Sequence, residues 1–552
     1  MTRPRFVALV GVLLLALPAA ADVKPHAMFG DHMVLQRNAT LPVWGTADPG
    51  EEVYVHLEVK TPDGKREEGQ SVKADKDGKW TARLGAFPAG TDGVLTVRGQ
   101  ERRPAPKEKK GPNAVVFKDV AVGEVWVASG QSNMEWSLGG SPKGGGPEAI
   151  KNSSNPNLRV FTVPKFAVPT PQAGFNPTPP NDKFSRWLPS APENAGMFTA
   201  VGYYFGRDLQ KALNVPVGII HTSWGGTPAQ AWTSREALEA DPALKYYVEE
   251  LAKRKEGWDP NKVKEQHEAA LLKWKAAAEE AKKAGMPEPR RPGMPQEPGT
   301  GPNDPTTLYN GMIQPLLPYA IKGAIWYQGE SNAGKPIEYR TLYAAMIADW
   351  RKRWGDDFPF YCVQLAPFNA GNPEADNWAF LREAQAIASE KVKHAGVAVI
   401  TDAGHATDIH PQRKEPAGAR LALLALANDY GQKVEFSGPA YKSLKVDGNK
   451  AAVSFDHVGG GLVAEKFTME DGTSAGADGK LVGFAVAGED KVFHPATATI
   501  EGDTVVVTSD NVSKPVAVRY GWKNLPVANL ANKAGLPASP FRTDDWLPPN
   551  LK

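Results

Sequence analysis

Apolar positions change their spacing twice along the chain, and these changes divide the sequence into three parts. From residue 22 to 115, short runs alternate apolar and polar residues, as in 52–57 (EVYVHL), and Asp-Gly pairs separate several of the runs. Alternation with a period of two and Asp-Gly turns are typical of antiparallel strands joined by hairpins. The pattern predicts a small N-terminal β domain over 22–115, whose charged segment 101–112 we interpret as a surface loop.

Between 116 and 430 the apolar runs are continuous and alternate with helical patterns. The strand-like runs are 122–128, 217–221, 324–327, 358–365 and 396–401, and the helical patterns are 199–213, 339–353, 378–391 and 416–428. Buried strands that alternate with helices are typical of a mainly parallel sheet covered by helices. We therefore predict an α/β domain over 116–430.

A helical and proline-rich insertion interrupts this domain at 235–305. Residues 235–285 are rich in Ala, Lys and Glu with helical spacing, and 286–305 contain seven prolines. We interpret the segment as a solvated insertion with an extended return, and the alternative is a binding module. Short alternating strands return at 431–552 and predict a second β domain.

The first 21 residues have the features of a secretory signal. Arg3 and Arg5 precede the apolar run 6–17, and small residues with an A-x-A pattern follow it. The run is shorter than the roughly 20 residues that a membrane-spanning helix needs. We therefore predict cleavage after Ala21, export, and no membrane attachment after cleavage.

Charge and cysteine content narrow the expected partners and location. The chain has 64 Lys+Arg and 62 Asp+Glu, so removal of Arg3 and Arg5 leaves 62 of each. A chain without net charge has little electrostatic attraction for nucleic acid or anionic lipid, so neither is an expected partner. Cys362 is the only cysteine and cannot form an internal disulfide. An exported protein of this kind is more typical of a bacterial periplasm or cell surface than of an animal secretion.

Three segments with chemically active side chains follow strands of the predicted sheet, where the crevice of an open α/β sheet lies. The first is 130–134 (GQSNM), which places Ser132 at a strand-to-helix turn. Free backbone N–H groups at such a turn favour a developing negative charge. Ser132 is therefore a candidate nucleophile, and a simple helix cap is the equal alternative.

The second segment is 401–411 (TDAGHATDIHP). Asp408 and His410 are two residues apart, so in an extended loop their side chains point to the same side. The carboxylate then holds one ring nitrogen while the other faces the serine, as a general base requires. His405 is a rival base, and a surface Asp–His pair is the alternative without function.

The third segment is 325–332 (IWYQGESN), in which the amide of Gln328 or Asn332 is a candidate oxyanion donor. The backbone of Gly225 or Gly226, in 223–227 (SWGGT), is a further candidate, and a tight turn is its structural alternative. Acyl transfer usually needs two preorganised donors for its tetrahedral oxyanion. Together the three segments supply a nucleophile, a base and an oxyanion site.

The segments 130–134, 326–332 and 408–411 resemble the motifs of sialate O-acetylesterases, which belong to the SGNH hydrolase superfamily. Similar matches at 33–37, 223–228 and 535–543 extend the resemblance to bacterial members over nearly the whole mature chain. The resemblance implies a three-layer α/β/α, flavodoxin-like catalytic domain flanked by two β-rich domains. It also implies a reaction without cofactor. A metal is disfavoured by the sequence itself, because near the proposed site only His405 and His410 lie close together, without further clustered ligands.

The resemblance further implies Ser132 as nucleophile, His410 as base and Asp408 as its partner. The oxyanion hole would join the N–H of Ser132, the N–H of Gly225 or Gly226, and the amide of Gln328. Asn332 is the reserve for the amide and, with His405 and Arg420, a candidate substrate contact. Two features depart from the family: His405 replaces an expected acidic residue, and the insertion is long.

The expected partner is an O-acetylated carbohydrate, with an O-acetylated sialic acid as the first expectation. Acetylated xylan or another polysaccharide is the alternative, because xylan acetylesterases share the same type of catalytic domain. A sialic acid site typically needs an arginine for the sugar carboxylate. Arg340 and Arg420 are candidates, although structural ion pairs are the favoured interpretation of both. A catalytically inactive carbohydrate-binding surface protein is the alternative from another class, and the sequence leaves the oligomeric state open.

Overall fold

The structure is a computed structural model that describes residues 23–99, 113–175, 185–476 and 478–548. The predicted signal peptide at 1–21 and the segment 101–112 therefore lie outside the described residues. Within the described ranges, no helix combines the length and the apolar character needed to cross a lipid bilayer.

The N-terminal part consists of strands in two mainly antiparallel sheets. Its strands are β1 (Lys24–Pro25), β2 (Val34–Gln36), β3 (Leu41–Thr46), β4 (Glu52–Thr61), β5 (Gly64–Lys73), β6 (Lys79–Leu84), β7 (Gly90–Arg98) and β8 (Ala114–Gly130). One sheet has the order β1-β3-β6, and β5, β4, β7 and β8 are neighbours in a second, in which β2 is parallel to its neighbour β8. Every second residue of β4 from Val53 to Val59 is buried, as the alternating pattern predicts.

The middle part alternates strands with helices. Its strands are β9 (Asn155–Thr162), β10 (Trp187–Ser190), β11 (Val217–Ser223), β12 (Gly323–Tyr327), β13 (Phe360–Val363) and β14 (Ala395–Ala398). Its helices are α1 (Ser132–Glu135), α2 (Gly146–Lys151), α3 (Pro192–Ala195), α4 (Ala200–Leu213), α5 (Arg235–Ala240), α6 (Tyr246–Glu256), α7 (Pro260–Lys283), α8 (Pro336–Trp354), α9 (Asn377–Lys391) and α10 (Glu415–Asn428). The sequence pattern predicts β8 and β11 to β14 and the helices α4, α8, α9 and α10, but not β9 or β10.

The long strand β8 belongs to both parts. Its first half pairs with β7 of the N-terminal part, and its second half lies between β11 and β12, parallel to both. The central path of the sheet is β10-β9-β11-β8-β12-β13-β14, in which only β10 is antiparallel to its neighbour. The boundary predicted at 115 therefore falls at the start of a shared strand.

Helices cover both faces of this central sheet. Successive residues of β12 enter opposite layers: Ile325 packs in the layer of α4 and α10, and Trp326 packs in the layer of α8 and α9. A parallel sheet buried on both faces needs continuous apolar strands, which is the pattern found in the sequence. The predicted three-layer α/β/α class is confirmed.

The predicted insertion at 235–305 contains α5, α6, α7 and an extended return. Helix α7 is 24 residues long, and Ala281 is its one buried residue. A half-buried stripe of α7 faces the proline-rich return, where Trp274 donates from Nε1 to the carbonyl of Pro289 at 2.7 Å. Helix α7 thus packs against the return, whereas α5 and α6 contribute Leu238, Tyr247 and Val248 to the core of the α/β domain.

The C-terminal part is a β domain with its own core. Its strands are β15 (Ala440–Asp447), β16 (Lys450–Asp456), β17 (Leu462–Ala464), β18 (Phe467–Thr468), β19 (Ser474–Ala475), β20 (Phe484–Ala487), β21 (Phe493–Pro495), β22 (Thr497–Glu501), β23 (Thr504–Thr508), β24 (Ala517–Tyr520), β25 (Leu530–Asn532) and β26 (Phe541–Arg542). They form two four-stranded sheets and two hydrogen-bonded pairs, one of which is the β18–β19 hairpin.

Helix α9 anchors this C-terminal domain to the α/β domain. The fully buried guanidinium of Arg382 donates to the carbonyls of Lys523 and Asn524 at 2.8 and 2.9 Å. Glu383 accepts from Nε of Arg542 at 2.7 Å. Because a buried guanidinium needs several acceptors, these bonds fix the domain next to the carboxyl ends of the strands.

Candidate active site

Ser132 lies where β8 ends and α1 begins. The preceding turn requires Gly130, which has a φ of +140°, and a Cβ added there would lie 2.2 Å from the carbonyl oxygen of Tyr327. The neighbouring strand therefore approaches the turn more closely than any side chain allows. This turn places the Ser132 hydroxyl beyond the carboxyl end of the sheet.

His410 contacts the serine directly. Its Nε2 lies 2.8 Å from Oγ of Ser132, which is a hydrogen-bond distance. The ring of Trp136 stacks on the imidazole at 4.9 Å between centroids and 17° between planes. Burial, followed by the charge of Lys414, lowers the pKa of His410 below its ordinary value of 6.5. The ring is therefore neutral near pH 7 and able to accept a proton.

Asp408 binds the backbone of the same loop, but its carboxylate forms no hydrogen bond with the imidazole of His410. Its Oδ1 accepts the backbone N–H of His410 at 2.8 Å and lies 3.8 Å from Nδ1 of that residue. This second distance allows an ion pair with a protonated ring but exceeds a hydrogen bond. The structure thus brings the three predicted residues together, with the Asp–His contact still loose.

The two candidate glycines differ in availability. A Cβ added at Gly225 would lie 3.3 Å from Cβ of Ser132, so this glycine packs against the nucleophile. Its N–H, however, donates to Oε2 of Glu135 at 2.6 Å. Among the described residues, the N–H groups of Ser132 and Gly226 have no hydrogen-bond acceptor. Ser132 and Gly226 are therefore available as oxyanion donors, whereas Gly225 requires a movement of Glu135.

Both candidate amide side chains bind other parts of the protein. Gln328 donates from Nε2 to the carbonyl of Thr227 at 3.3 Å and to Oδ1 of Asn332 at 2.7 Å. Asn332 donates to Oε1 of Gln230 at 3.0 Å and accepts from the N–H of Ala229 at 2.9 Å. Buried amides need hydrogen-bond partners, and these two bind the segment 227–230 as well as each other. In this structure Gln328 has no N–H left for an oxyanion, whereas Asn332 donates only one of its two N–H groups.

His405, the rival base, is a structural part of the loop. Its Nδ1 accepts the N–H groups of Asp408 and Thr407 at 3.0 and 3.2 Å. A ring nitrogen that accepts carries no proton, so the proton of the neutral ring is on Nε2. Within the described residues, the ring that contacts the Ser132 hydroxyl is that of His410.

The two arginines considered for a sugar carboxylate are engaged elsewhere. Arg420 forms a bidentate pair with Asp402 at 2.6 and 2.7 Å and also donates to a backbone carbonyl. Arg340 lies 2.5 Å from Glu383. The favoured interpretation of both as structural ion pairs agrees with this geometry.

Three polar residues beneath the Ser–His pair, of which Asn133 and Lys414 are fully buried, were not singled out by the sequence. Asn133 donates to Oε1 of Glu330 at 2.6 Å and to the carbonyl of Ile409 at 3.0 Å, and its Oδ1 accepts from Nζ of Lys414. Burial lowers the pKa of Lys414 to about 7 and raises that of Glu330. This network ties the nucleophile's helix to the histidine's loop.

A signal for these residues is present in the sequence but is not specific. Asn133 and Glu330 lie inside the motifs already quoted, and Lys414 follows His410 by four residues. A lysine at a helix start is ordinarily solvated, so its complete burial becomes evident only from the packing of separate segments.

Comparison with known proteins places this geometry in a family. The crystal structure of a carbohydrate acetylesterase from Xanthomonas citri is similar with a TM-score of 0.73 and 37% sequence identity, over 95% of this chain and 100% of that chain. The family described as carbohydrate esterase, sialic acid-specific acetylesterase, matches residues 298–423. The chain belongs to the sialate O-acetylesterase family.

Mammalian members of this family resemble the chain over most of its length. The sialate O-acetylesterase of Rattus norvegicus is 28% identical over 81% of this chain and 81% of the relative. The sialate O-acetylesterase of Homo sapiens is 26% identical over 92% of this chain and 90% of the relative. These similarities confirm the predicted enzyme class, an ester hydrolase of the carbohydrate esterase type.

Proposed function

We propose that the chain removes acetyl groups from O-acetylated sugars through an acetyl-enzyme formed on Ser132. The observation that carries the proposal is the 2.8 Å contact between Oγ of Ser132 and Nε2 of His410 at the end of β8. A serine next to a neutral imidazole is the arrangement that activates a hydroxyl for acyl transfer.

In the first half of the reaction, Oγ of Ser132 attacks the acetyl carbonyl carbon while His410 takes the hydroxyl proton. The carbonyl oxygen becomes an oxyanion, for which the free N–H groups of Ser132 and Gly226 are the proposed donors. Gly225 joins them if Glu135 moves away from its N–H. The protonated ring is then stabilised by Asp408, which needs to approach Nδ1 from its present 3.8 Å.

The first half ends when the ester bond to the sugar oxygen breaks and His410 gives its proton to that oxygen, which leaves the acetyl group on Ser132. In the second half, a water molecule donates a proton to His410 and attacks the acetyl carbon. The bond to Oγ breaks, acetate leaves, and Ser132 regains its proton from the ring. Every proton thus moves through one imidazole.

We propose an O-acetylated sialic acid as the first substrate class, with support from the family description and the mammalian relatives. A neutral acetylated polysaccharide is the second candidate, and one observation favours it. Arg340 and Arg420 are both bound to carboxylates, so neither guanidinium is free for a sugar carboxylate.

A substrate panel tests both proposals. The wild-type protein and the Ser132→Ala variant are compared on p-nitrophenyl acetate, O-acetylated sialic acid and acetylated xylan, with acetate release as the readout. We expect release by the wild type and loss of activity by orders of magnitude in the variant. Equal activity of both proteins would reject Ser132 as nucleophile, and a wild type inactive on every ester would favour the carbohydrate-binding alternative.

We further propose that the protein is exported, because residues 1–21 have the pattern of a secretory signal. Expression of the full chain in a bacterium, followed by fractionation and N-terminal sequencing, tests this. A mature protein that begins at Asp22 in the periplasm or medium supports the proposal, and an uncleaved cytoplasmic protein contradicts it.

A further inference from the structure

A turn of the C-terminal β domain holds the loop that carries His410. The turn, residues 469–473, joins β18 to β19 and contains Glu470 and Asp471. Oε2 of Glu470 accepts the N–H of Gln412 at 3.0 Å, and its Oε1 accepts the N–H of Arg413.

Asp471 holds the other end of the same loop. Its Oδ2 accepts the N–H of Ala406 at 2.6 Å and lies 4.0 Å from Nδ1 of His405. Its Oδ1 accepts the N–H of Thr473 and so fixes the turn itself at 2.9 Å. The two carboxylates therefore bracket the segment 406–413 from both ends, with His410 between them.

Carboxylates that accept backbone N–H groups form stronger hydrogen bonds than neutral acceptors do. Loop segments without a sheet or helix ladder depend on such side-chain acceptors for a fixed conformation. The base must lie within hydrogen-bond reach of the serine, and a misplacement of about 1 Å costs up to about 100-fold in rate. A displacement of the turn would therefore also displace His410, the base.

We propose that the turn 469–473 is a positioning element for the catalytic loop, so that the C-terminal domain acts on the rate of the reaction. Glu470 is the central positioning residue, because both of its oxygens bind the backbone of the loop. This inference rests on the proposed function of Ser132 and His410, and it adds a requirement from a separate domain.

The competing interpretation is that these carboxylates bind a sugar. Both oxygens of Glu470 accept loop N–H groups, and both oxygens of Asp471 accept backbone N–H groups. A sugar hydroxyl would have to compete with these four bonds. The geometry thus favours positioning over substrate binding.

The test uses the full chain and the small substrate p-nitrophenyl acetate, which needs no glycan site. We expect Glu470→Ala to lower kcat by about 10- to 100-fold, with KM and the melting temperature close to those of the wild type. Glu470→Gln keeps one acceptor oxygen and should recover part of that loss. Glu465→Ala removes an exposed carboxylate just before the same hairpin and should retain wild-type kcat.

Three outcomes would overturn the inference. The first is a kcat within twofold of the wild type for Glu470→Ala. The second is a change confined to KM or to acetylated polysaccharide, which would assign the turn to substrate binding. The third is a loss of kcat by Glu465→Ala equal to that by Glu470→Ala. Should Glu470→Ala not fold, a kcat of Asp471→Ala within twofold of the wild type would contradict it equally, since Asp471 accepts the N–H of Ala406 in the same loop.

Failure of the proposed function itself would give different activity measurements. In that case the wild type itself is inactive on every ester, or Ser132→Ala retains its activity. A wild type that depends on Ser132 while Glu470→Ala remains fully active contradicts the positioning role alone.

Discussion

The nucleophile and the base of this site are held in place by different means. Ser132 follows β8, whose backbone is bonded to parallel strands on both sides and whose last turn closes against Tyr327. His410 lies in the loop 405–413, whose backbone N–H groups are accepted by side chains of the turn 469–473 and of the loop itself. One half of the site therefore depends on sheet packing, and the other depends on individual polar contacts.

The two sides of the site should therefore respond differently to amino-acid substitutions. A substitution on the serine side has to fit a close-packed sheet, so it changes stability and activity together. A substitution on the histidine side removes one polar contact of a half-buried loop, so it changes the geometry of the base with little effect on the folded state.

The largest expected effect is that of His410→Ala. Removal of the general base should lower kcat on p-nitrophenyl acetate by about 1,000-fold or more, since Ser132 then has no proton acceptor within hydrogen-bond distance. The melting temperature should change less than kcat, because the ring is only half-buried. Steady-state kinetics with the purified variant measures both values.

His405→Ala is the matched comparison within the same loop. Its ring fixes the N–H groups of Thr407 and Asp408, so we expect a loss of about tenfold through a less ordered loop. A His405→Ala variant as inactive as His410→Ala would mean that the base has been assigned to the wrong histidine.

The sequence predicts the serine side of the site better than the histidine side. The strand β8, the turn at Gly130 and the position of Ser132 follow from local signals: a continuous apolar run, a glycine and a following helix. Such signals lie within about ten residues of the feature they predict. The position of Ser132 at the strand-to-helix turn could therefore be predicted locally, whereas its role as nucleophile needed the other two segments.

The histidine side depends on contacts between segments that are distant in sequence. Nothing local to Lys414 indicates that it is buried against Asn133, and nothing local to Glu470 indicates that it binds the catalytic loop. The same applies to Gln328, whose motif favours an oxyanion donor although its amide braces Thr227 and Asn332. These roles depend on packing between distant segments, which leaves no local pattern in a single sequence.

Gly130→Ala tests the sheet-packed side. The added Cβ would lie 2.2 Å from the carbonyl oxygen of Tyr327, at a φ of +140° that side chains rarely adopt. We expect a loss of about 3 kcal/mol in the free energy of unfolding together with a kcat lowered by at least about tenfold. Urea denaturation followed by tryptophan fluorescence measures the stability.

Gly285→Ala provides the control for backbone strain alone. It has a φ of +67° and no atom within 4 Å of an added Cβ, so the cost should be about 1 kcal/mol with unchanged kcat. If Gly130→Ala were no less stable than Gly285→Ala, close packing at the serine turn would not be what holds the nucleophile.

The smallest expected effect is a pH shift caused by Lys414. The neutral imidazole is the active base, so kcat/KM rises as the pH passes the pKa of His410. Burial and the charge of Lys414 lower this pKa, and Lys414, with its own pKa of about 7, is protonated in that acidic range. Lys414→Gln removes the charge and keeps a donor for Oδ1 of Asn133. The acid limb should therefore move to higher pH, with kcat/KM several-fold lower near pH 5 and unchanged near pH 8.

Lys414→Met separates this charge effect from the contact itself. Methionine removes the charge and also the donor to Asn133, which in turn donates to the carbonyl of Ile409 in the catalytic loop. We expect the same shift of the acid limb plus a lower kcat at every pH, because the loop then loses one of its fixed contacts. A profile of Lys414→Gln that coincides with the wild type at all pH values would mean that the charge does not act on His410. In that case Lys414 would act on the catalytic loop only through its hydrogen bond to Asn133, like the other polar contacts of that loop.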